Sequence, residues 1–399
     1  MSEKLFNIDD LLNGAFKNRP TLNDLFEQKL AELNLNKTNI QEIFDISYRT
    51  LNGILTGSQK VVDVTQLVKI GDFLQLSKEE VFKLYMESVQ IKHPTSNASP
   101  QKIKFIKDNF DLTALRKAGL INSVTDYEHI EKKIISRLGY KSIYEYKKPG
   151  IDVAFSSGLF KPKNLLTRLF WIRAAIGTLE EIDNPHAYSK QDLIKFIPYI
   201  SWYSLNEERG LVEVIRGLFK VGVTVIYQPP LQGLQLRGAT FSVNDKPCIV
   251  LSNYMGHYST LWFCLMHELF HVVFDWNDIK KNSYHLTDDD NEELTVRERE
   301  DEADSFAREY LFSKEKMEKV KRSLSNVDYI KQIAKENHVH AGIIYAFNAF
   351  DNNNDRKLWA RATTNSPKVK DVVSSIDYAW DESRPFEEII NEQKQVTYN

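Results

Sequence analysis

The chain has 399 residues, of which 42% are hydrophobic and 27% charged, and its formal net charge is −3. At about 150 residues per domain, this length predicts two or three domains with enough chain for a packed core. The near balance of charge argues against a protein that binds nucleic acids or membranes through a strong overall field.

The cysteine content and the N-terminus indicate the compartment. Cys248 and Cys264 are the two cysteines of the chain, and neither belongs to a CxxC motif. A disulfide framework is therefore excluded, and a reducing cytoplasm is the expected location. Residues 1–10 lack the apolar segment of a signal peptide, and no stretch approaches about 18 consecutive apolar residues, so we expect no membrane association.

The N-terminal segment reads as a series of short helices. Residues 38–41 and 77–80 fit the capping-box pattern, which predicts two helix starts. Between them, Ser47 can cap a helix over residues 48–55, which ends before Gly57. Two short helices joined by a tight turn are typical of a helix-turn-helix.

This segment resembles the XRE fold of phage-repressor-like proteins, and we assign residues 21–92 to such a domain. In DNA-binding relatives, the start of the second helix of the motif reads base edges. The resemblance therefore implies that four residues contact double-stranded DNA: Tyr48, Arg49, Thr50 and Asn52.

The charge of the segment weakens the DNA interpretation. Residues 21–90 contain seven Lys or Arg against ten Asp or Glu, whereas phosphate contacts need positive charge. Residues 91–170 contain fifteen Lys or Arg against seven Asp or Glu. This positive charge can contact the phosphate backbone of DNA or form an ordinary solvated face. Two interpretations stay open, a DNA-binding domain and a module for protein interaction or homodimer formation.

The middle of the chain changes from helical to β-rich patterns after a Pro-, Ser- and Asn-rich boundary at residues 93–100. We interpret residues 100–200 as a helical connector, in which the run 165–182 has apolar residues at helical spacing. Three β-rich runs follow, and Asn244-Asp245 is a suitable turn between the last two. They predict a small antiparallel sheet, arranged as a meander of strands at 221–227, 236–243 and 247–252. Further helices are predicted at 211–222, 259–276, 291–312, 325–337 and 341–350, and a C-terminal tail, 351–399, is left unassigned.

Residues 267–271 read His-Glu-Leu-Phe-His. Residues i and i+4 share one face of a helix, so His267 and His271 can bind one metal ion. Glu268 projects about 100° round the helix and can act as general base on a water molecule at that ion. The flanking residues are apolar, and buried imidazoles and a carboxylate without partners would cost several kcal/mol. The alternative is a pair of core histidines satisfied by other hydrogen bonds.

A downstream helix offers a third ligand. Glu300 and Asp304 lie four residues apart, so Glu300 can bind the ion while Asp304 accepts a hydrogen bond from a ligand histidine. Glu302 points away from that face, and the small Ala303 permits close approach of the two helices. The alternative for Glu300 is a solvated charge, because residues 288–304 contain ten acids and two arginines.

The HExxH motif followed by E-x-E-A-D-x-F-A resembles the ImmA/IrrE zinc metallopeptidases, over roughly residues 160–350. The resemblance implies a zincin-like domain, placed at residues 201–350, with peptide-bond hydrolysis as its reaction. It implies zinc as the cofactor, although Mn²⁺ and Fe²⁺ are not excluded. It also implies an edge strand that pairs with the substrate backbone, and residues 236–243 are predicted to be that edge.

The fold class expected is therefore α+β, with an all-α helix-turn-helix domain, a helical connector and a metallopeptidase domain. The expected function is a regulatory zinc metallo-endopeptidase that cleaves a DNA-binding repressor or antitoxin in a stress or phage-related response. The alternative is a helix-turn-helix regulator or antitoxin whose metal domain is a sensor or scaffold without turnover. The presence of Glu268 favours the enzyme. No donor for the oxyanion stands out among the candidates Tyr284, His285 and Tyr310.

Overall fold

The computed structural model describes residues 20–92, 98–149, 164–229, 231, 234, 236–253, 256–282, 284–288, 294–352, 355–377 and 383–399. They fall into two compact units, one within Met1–Asn97 and the other within Ala98–Asn399. The second unit spans the segments predicted as connector, metallopeptidase domain and C-terminal tail. Among the described helices, none is both long enough and apolar enough to cross a bilayer.

The described part of the first unit is entirely helical. Its core includes three phenylalanines in mutual contact, Phe26, Phe44 and Phe73, whose ring centroids lie 5.2–5.8 Å apart. Apolar residues from all of its helices surround them, so this unit has a core of its own. The helices are α1 (Leu22–Leu33), α2 (Lys37–Phe44), α3 (Tyr48–Leu55), α4 (Val64–Leu74) and α5 (Lys78–Lys92).

One of the two predicted capping boxes is present and the other is wrong. Ser77 and Glu80 exchange side-chain to backbone hydrogen bonds at the start of α5, at 3.0 and 3.2 Å. The start of α2 is instead capped by Asn36 and Asn39, whose side chains accept from each other's backbone N–H at 3.0 and 3.1 Å. Asparagine caps a helix as well as threonine does, so the helix begins at Lys37, earlier than the box at 38–41 predicted.

The second unit begins with helices that share a small core. Ile106, Phe110 and Ile130 belong to it, together with Phe170 from a later and longer helix. Residue Trp171 of that longer helix faces the main core instead, so the helix contributes buried residues to both cores. The helices are α6 (Pro100–Asn109), α7 (Leu112–Lys117), α8 (Tyr127–Leu138), α9 (Leu165–Ile182), α10 (Lys190–Tyr203) and α11 (Gly210–Lys220), with a 3-10 turn at Ile143–Glu145.

A four-stranded sheet forms the centre of the second unit, in the order β1-β3-β2-β4. Its strands are β1 (Thr224–Tyr227), β2 (Leu236–Val243), β3 (Lys246–Leu251) and β4 (Tyr284–Asp288). As predicted, Asn244 and Asp245 form the turn between β2 and β3, and both take left-handed backbone angles, with φ of 51° and 62°.

Two predictions about the sheet are wrong. It is mixed rather than an antiparallel meander, because β1 pairs parallel to β3. The strand β2 is also not an edge strand, because it pairs antiparallel with β3 on one side and with β4 on the other. The strand β4 ends where the acidic stretch at 288–304 begins, and its pairing with β2 is a long-range contact that local sequence patterns do not reveal.

Two helices carry the candidate metal-binding residues. They are α12 (Tyr258–Phe274), which is buried against the sheet, and α14 (Leu294–Phe312), separated from it by the short helix α13 (Trp276–Asn282) and β4. The side chains of Ala303 and Ala307 are fully buried, which is consistent with the close approach that small residues on α14 predicted.

The C-terminal residues also pack into the main core. Trp359, Val372 and Ile390 are buried there. The hydroxyl of Tyr398 donates a 2.8 Å hydrogen bond to the backbone carbonyl of Val225 on β1. The tail, 351–399, which the sequence left unassigned, contains three helices among its described residues. The last helices of the chain are α15 (Lys314–Val320), α16 (Val327–Glu336), α17 (Ala341–Asp351), α18 (Arg356–Thr364), α19 (Val369–Val373) and α20 (Phe386–Tyr398), with a 3-10 turn at Lys321–Ser323.

Candidate metal centre

The two histidines of the HExxH motif face the same point. Both lie on α12, one helical turn apart, and both are buried. The Nε2 atom of His267 is 3.2 Å from the Nε2 atom of His271. Two ligands that are each about 2.0–2.1 Å from one zinc ion stand roughly 3.3 Å apart in a tetrahedral site, so this separation suits a shared ion.

Glu300 completes the group from α14. Its Oε2 atom lies 3.1 Å from Nε2 of His267, and its Oε1 atom lies 3.5 Å from Nε2 of His271. Ligand atoms of the three residues all fall within 4.8 Å of one another, so the group can hold a metal ion. Two imidazoles and one carboxylate are a donor set found at catalytic zinc sites, in which the fourth position is left to water or substrate.

A carboxylate fixes the orientation of each histidine. The Nδ1 atom of His267 lies 2.8 Å from Asp304 Oδ1, and the Nδ1 atom of His271 lies 2.7 Å from Asp275 Oδ2. An imidazole that donates its Nδ1–H to a carboxylate presents a basic Nε2 to a metal ion. The structure thus places Asp304 where the sequence predicted it and adds Asp275, which the sequence analysis missed although it lies four residues after His271.

Arg299 holds Asp275 in turn. Its Nε and Nη2 atoms lie 2.7 and 2.6 Å from Asp275 Oδ1, so one oxygen of Asp275 faces the guanidinium and the other faces His271. Burial alone would raise the pKa of Asp275, but the hydrogen bonds from His271 and Arg299 lower it. Glu302 is exposed and pairs with Arg299, so it points away from the centre as predicted.

The electrostatic field of the centre favours a cation. Burial by itself would lower the pKa of His267, but the hydrogen bonds of Asp304 and Glu300 and the charge of Glu268 raise the pKa to about 10. Three carboxylates around one imidazole therefore stabilise positive charge at this point. A divalent metal ion satisfies the same field, which is a second reason why the residues fit a metal.

We expect Asp304→Asn and Asp275→Asn to lower zinc affinity by roughly 10–100-fold each, because the amide is a weaker acceptor for the imidazole N–H. Competition with a fluorescent zinc chelator measures the affinity. Asp278→Asn is the matched control, since Asp278 is exposed on α13 and pairs with Lys281. Zinc affinity equal to the wild type in both test variants would show that these carboxylates do not support the ligands.

Glu268 lies on the sheet side of the centre, where β2 holds it. Its side chain is fully buried, and Oε2 accepts a 2.7 Å hydrogen bond from the hydroxyl of Thr240. A Cβ atom at Gly238 would lie 2.5 Å from Oε1 of Glu268, so the strand passes the carboxylate at a distance that glycine alone allows. The contact of Thr240 and Gly238 with α12 depends on the fold, so short stretches of sequence do not reveal it.

Of the three oxyanion candidates, the described structure tests Tyr310 alone. The side chains of Tyr284 and His285 lie outside the described residues. Tyr310 is ten residues after Glu300 on α14, about 15 Å along a helix axis. Its ring packs on Phe306, with centroids 4.6 Å apart, and so it does not reach the metal-binding group.

The predicted DNA-contacting residues in the first unit differ in exposure. Ser47 caps α3 as predicted, and Arg49 and Asn52 are exposed on that helix. Tyr48 is half-buried, and its hydroxyl donates a 3.2 Å hydrogen bond to Glu27. The hydroxyl of Thr50 is 2.9 Å from that of Ser47. Arg49 and Asn52 are thus the better placed of the four for contact with a partner.

The fold and the site define the domain as one with the features of a metal-dependent peptidase. Residues 220–346 match the family model of the IrrE N-terminal-like domain, Peptidase_M78. The matched segment includes the sheet, α12 and α14, and therefore every residue of the candidate centre. The match supports an ImmA/IrrE-type peptidase domain in this part of the chain. Comparison with curated proteins and with solved structures gave no match.

Proposed function

We propose that the chain is a cytoplasmic regulatory zinc metallo-endopeptidase, which cleaves a DNA-binding repressor or antitoxin partner in a stress or phage-related response. The observation that carries the reaction type is the convergence of His267, His271 and Glu300 next to the buried carboxylate of Glu268. The family match supports a peptidase, and the resemblance to ImmA/IrrE enzymes supports the choice of substrate. The two free cysteines agree with a reducing compartment.

The residues of the centre have two roles in the proposed hydrolysis, which are metal binding and proton transfer. A zinc ion held by the three ligands would supply Lewis-acid activation of a water molecule and of the substrate carbonyl. Glu268 accepts the proton of the attacking water and can return it to the leaving amine. The hydroxyl of Thr240 donates a hydrogen bond to Oε2 of this carboxylate and so helps to fix its orientation. The donor set also accepts Mn²⁺ or Fe²⁺, so metal analysis of the purified protein decides the ion.

The test of this function is capture of the substrate. A Glu268→Gln protein should bind the partner without cleaving it, so that the intact partner is recovered on elution. The wild-type protein should yield two fragments of the same partner. Mass spectrometry of a co-encoded repressor incubated with each protein identifies the cleaved bond. A repressor that binds both proteins and stays intact with the zinc-loaded wild type would favour a scaffold without turnover.

The second candidate function is DNA binding by the first unit, with the metal domain as a sensor. Exposed Arg49 and Asn52 on a capped helix of a compact helical unit favour it. Against it stand the excess of acidic residues in 21–90 and the buried, hydrogen-bonded Glu268, which a structural metal site does not require. The two candidates are compatible if the first unit directs the enzyme to the DNA of its partner.

If the first unit binds DNA, we expect Arg49→Ala in the full-length chain to cost about 1–3 kcal/mol and to relax base preference. Affinity should fall steeply with salt, because phosphate contacts release counterions. Fluorescence anisotropy with the upstream DNA of its own operon, at two salt concentrations, measures both effects. Lys83→Ala, at an exposed position on α5, is the control, and chelation of zinc should leave binding unchanged. Undetectable or salt-insensitive binding would indicate a protein-interaction module instead.

A further inference from the structure

A cavity of about 360 Å³ lies beside the candidate metal centre, between α12, α14 and α17. Its apolar wall consists of Phe263, Phe347 and Phe350, whose rings contact one another with Phe263 in the middle. The size is at the lower end of the about 300–1,000 Å³ range of small-molecule pockets, so the space suits one large side chain.

The cavity adjoins the ligand side of the centre. Asp304, which accepts from His267, also lines the cavity. Phe263 lies one helical turn before His267 on α12, and the two ring centroids are 6.4 Å apart. A group bound in this space is therefore a neighbour of the metal-binding residues.

Arg237 borders the cavity on the other side, next to the base. Side chains of a regular strand alternate between faces, so residue 237 should point away from the face on which Gly238 and Thr240 meet Glu268. A register irregularity between Leu236 and Gly238 interrupts β2 at this point, and Arg237 lines the cavity together with residues of α12 and α14. Bulges often redirect a side chain next to an active site.

The charges around the cavity are largely neutralised within the protein. Arg308 is bound by both oxygens of Asp351, at 2.7 and 2.6 Å, and its guanidinium lies 4.5 Å from the centroid of the Phe347 ring. Asp304 is engaged by His267. The remaining charged residues of the lining are Arg237, which is half-buried, and Asp301 and Lys314, which are exposed and opposite in sign. A cationic guest would lose hydration beside Arg237 and Arg308, whereas an aromatic ring would bury apolar surface against the three phenylalanines.

We propose that this cavity binds the side chain of the substrate residue next to the cleaved bond, and that it selects a large aromatic side chain over a cationic one. The inference rests on the proposed peptidase function of the metal centre. The position between the ligand His267 and the strand that contacts Glu268 explains why the selected residue adjoins the reacting bond.

The test uses three zinc-binding hydroxamates and the zinc-loaded full-length protein. Acetohydroxamate probes the metal centre alone, 3-phenylpropionohydroxamate adds a neutral ring, and the hydroxamate of 4-aminobutyric acid adds a cation. By isothermal titration calorimetry, we expect the aromatic probe to bind roughly tenfold tighter than acetohydroxamate, through burial of its ring. The cationic probe should bind no tighter than acetohydroxamate.

Two serine variants locate the effect. Ser305 is exposed and lines the cavity, so Ser305→Phe should fill the space and remove the aromatic preference, while zinc content and acetohydroxamate affinity stay unchanged. Ser375→Phe makes the same change at an exposed position that does not line the cavity, and the preference should persist.

The outcomes separate the two proposals. Equal binding of the aromatic and acetyl probes, an aromatic preference that survives Ser305→Phe, or tightest binding of the cationic probe would each overturn the cavity assignment and leave the metal centre standing. If none of the three probes shows zinc-dependent binding, the proposed function fails, and this inference fails with it.

Discussion

Replacement of Glu268 by glutamine is expected to reduce cleavage of the partner protein by about 10²–10⁴-fold, the usual contribution of a general base. Glutamine keeps the size of the side chain and can still accept the hydrogen bond of Thr240 through its carbonyl oxygen. The fold and the metal content should therefore be those of the wild type. The change removes proton transfer and little else.

The measurement is single-turnover cleavage of the identified partner, followed on gels or by mass spectrometry, with zinc content determined on the same samples. Glu309→Gln is the matched control, because Glu309 is exposed on α14 and should tolerate the change. Cleavage by the Glu268→Gln protein at the rate of the control would remove this residue from the mechanism.

Replacement of a metal-binding residue is expected to have an equally large effect on the zinc content of the protein. We expect one zinc ion per wild-type chain and close to none in His267→Ala or Glu300→Ala protein after dialysis, because two remaining ligands hold zinc weakly. Metal analysis by mass spectrometry gives the stoichiometry, and circular dichroism checks the fold. Full zinc occupancy in either folded variant would disprove that the residue is a ligand.

Matched controls exist for both ligand variants. His186 is exposed, and Glu309 shares α14 with Glu300 but is exposed nine residues later. Their alanine variants should keep one zinc ion per chain. Metal loss from these controls as well would point to general destabilisation rather than to coordination.

The candidate site was predictable from the sequence where it depends on one helix at a time. The i, i+4 spacing places His267 and His271 on one face of any helix, and the same spacing relates Glu300 to Asp304. The structure then brings the two helices together through small residues such as Ala303. Helical periodicity is a local property, so these contacts follow from short stretches of sequence.

The supporting contacts were not predictable, because each depends on another segment. Thr240 reaches Glu268 only because β2 lies against α12, and Arg299 reaches Asp275 across the gap between two helices. The pairing of β4 with β2 joins residues 43 to 52 positions apart in the chain. A five-residue strand of mixed polar and apolar residues has no local pattern that distinguishes it from a loop.

The position of β2 inside the sheet also limits how a polypeptide can approach the base. The backbone of β2 next to Glu268 is already hydrogen-bonded to β3 and to β4 in the described structure. An incoming chain that extended this sheet would have to add outside β4, about 4.8 Å further from the carboxylate, or displace β4 from its place. Because β4 belongs to the same molecule, it is a tethered competitor with a high effective concentration. Substrates whose side chains anchor them near the reacting bond should therefore be cut in preference to those that offer only an extended backbone.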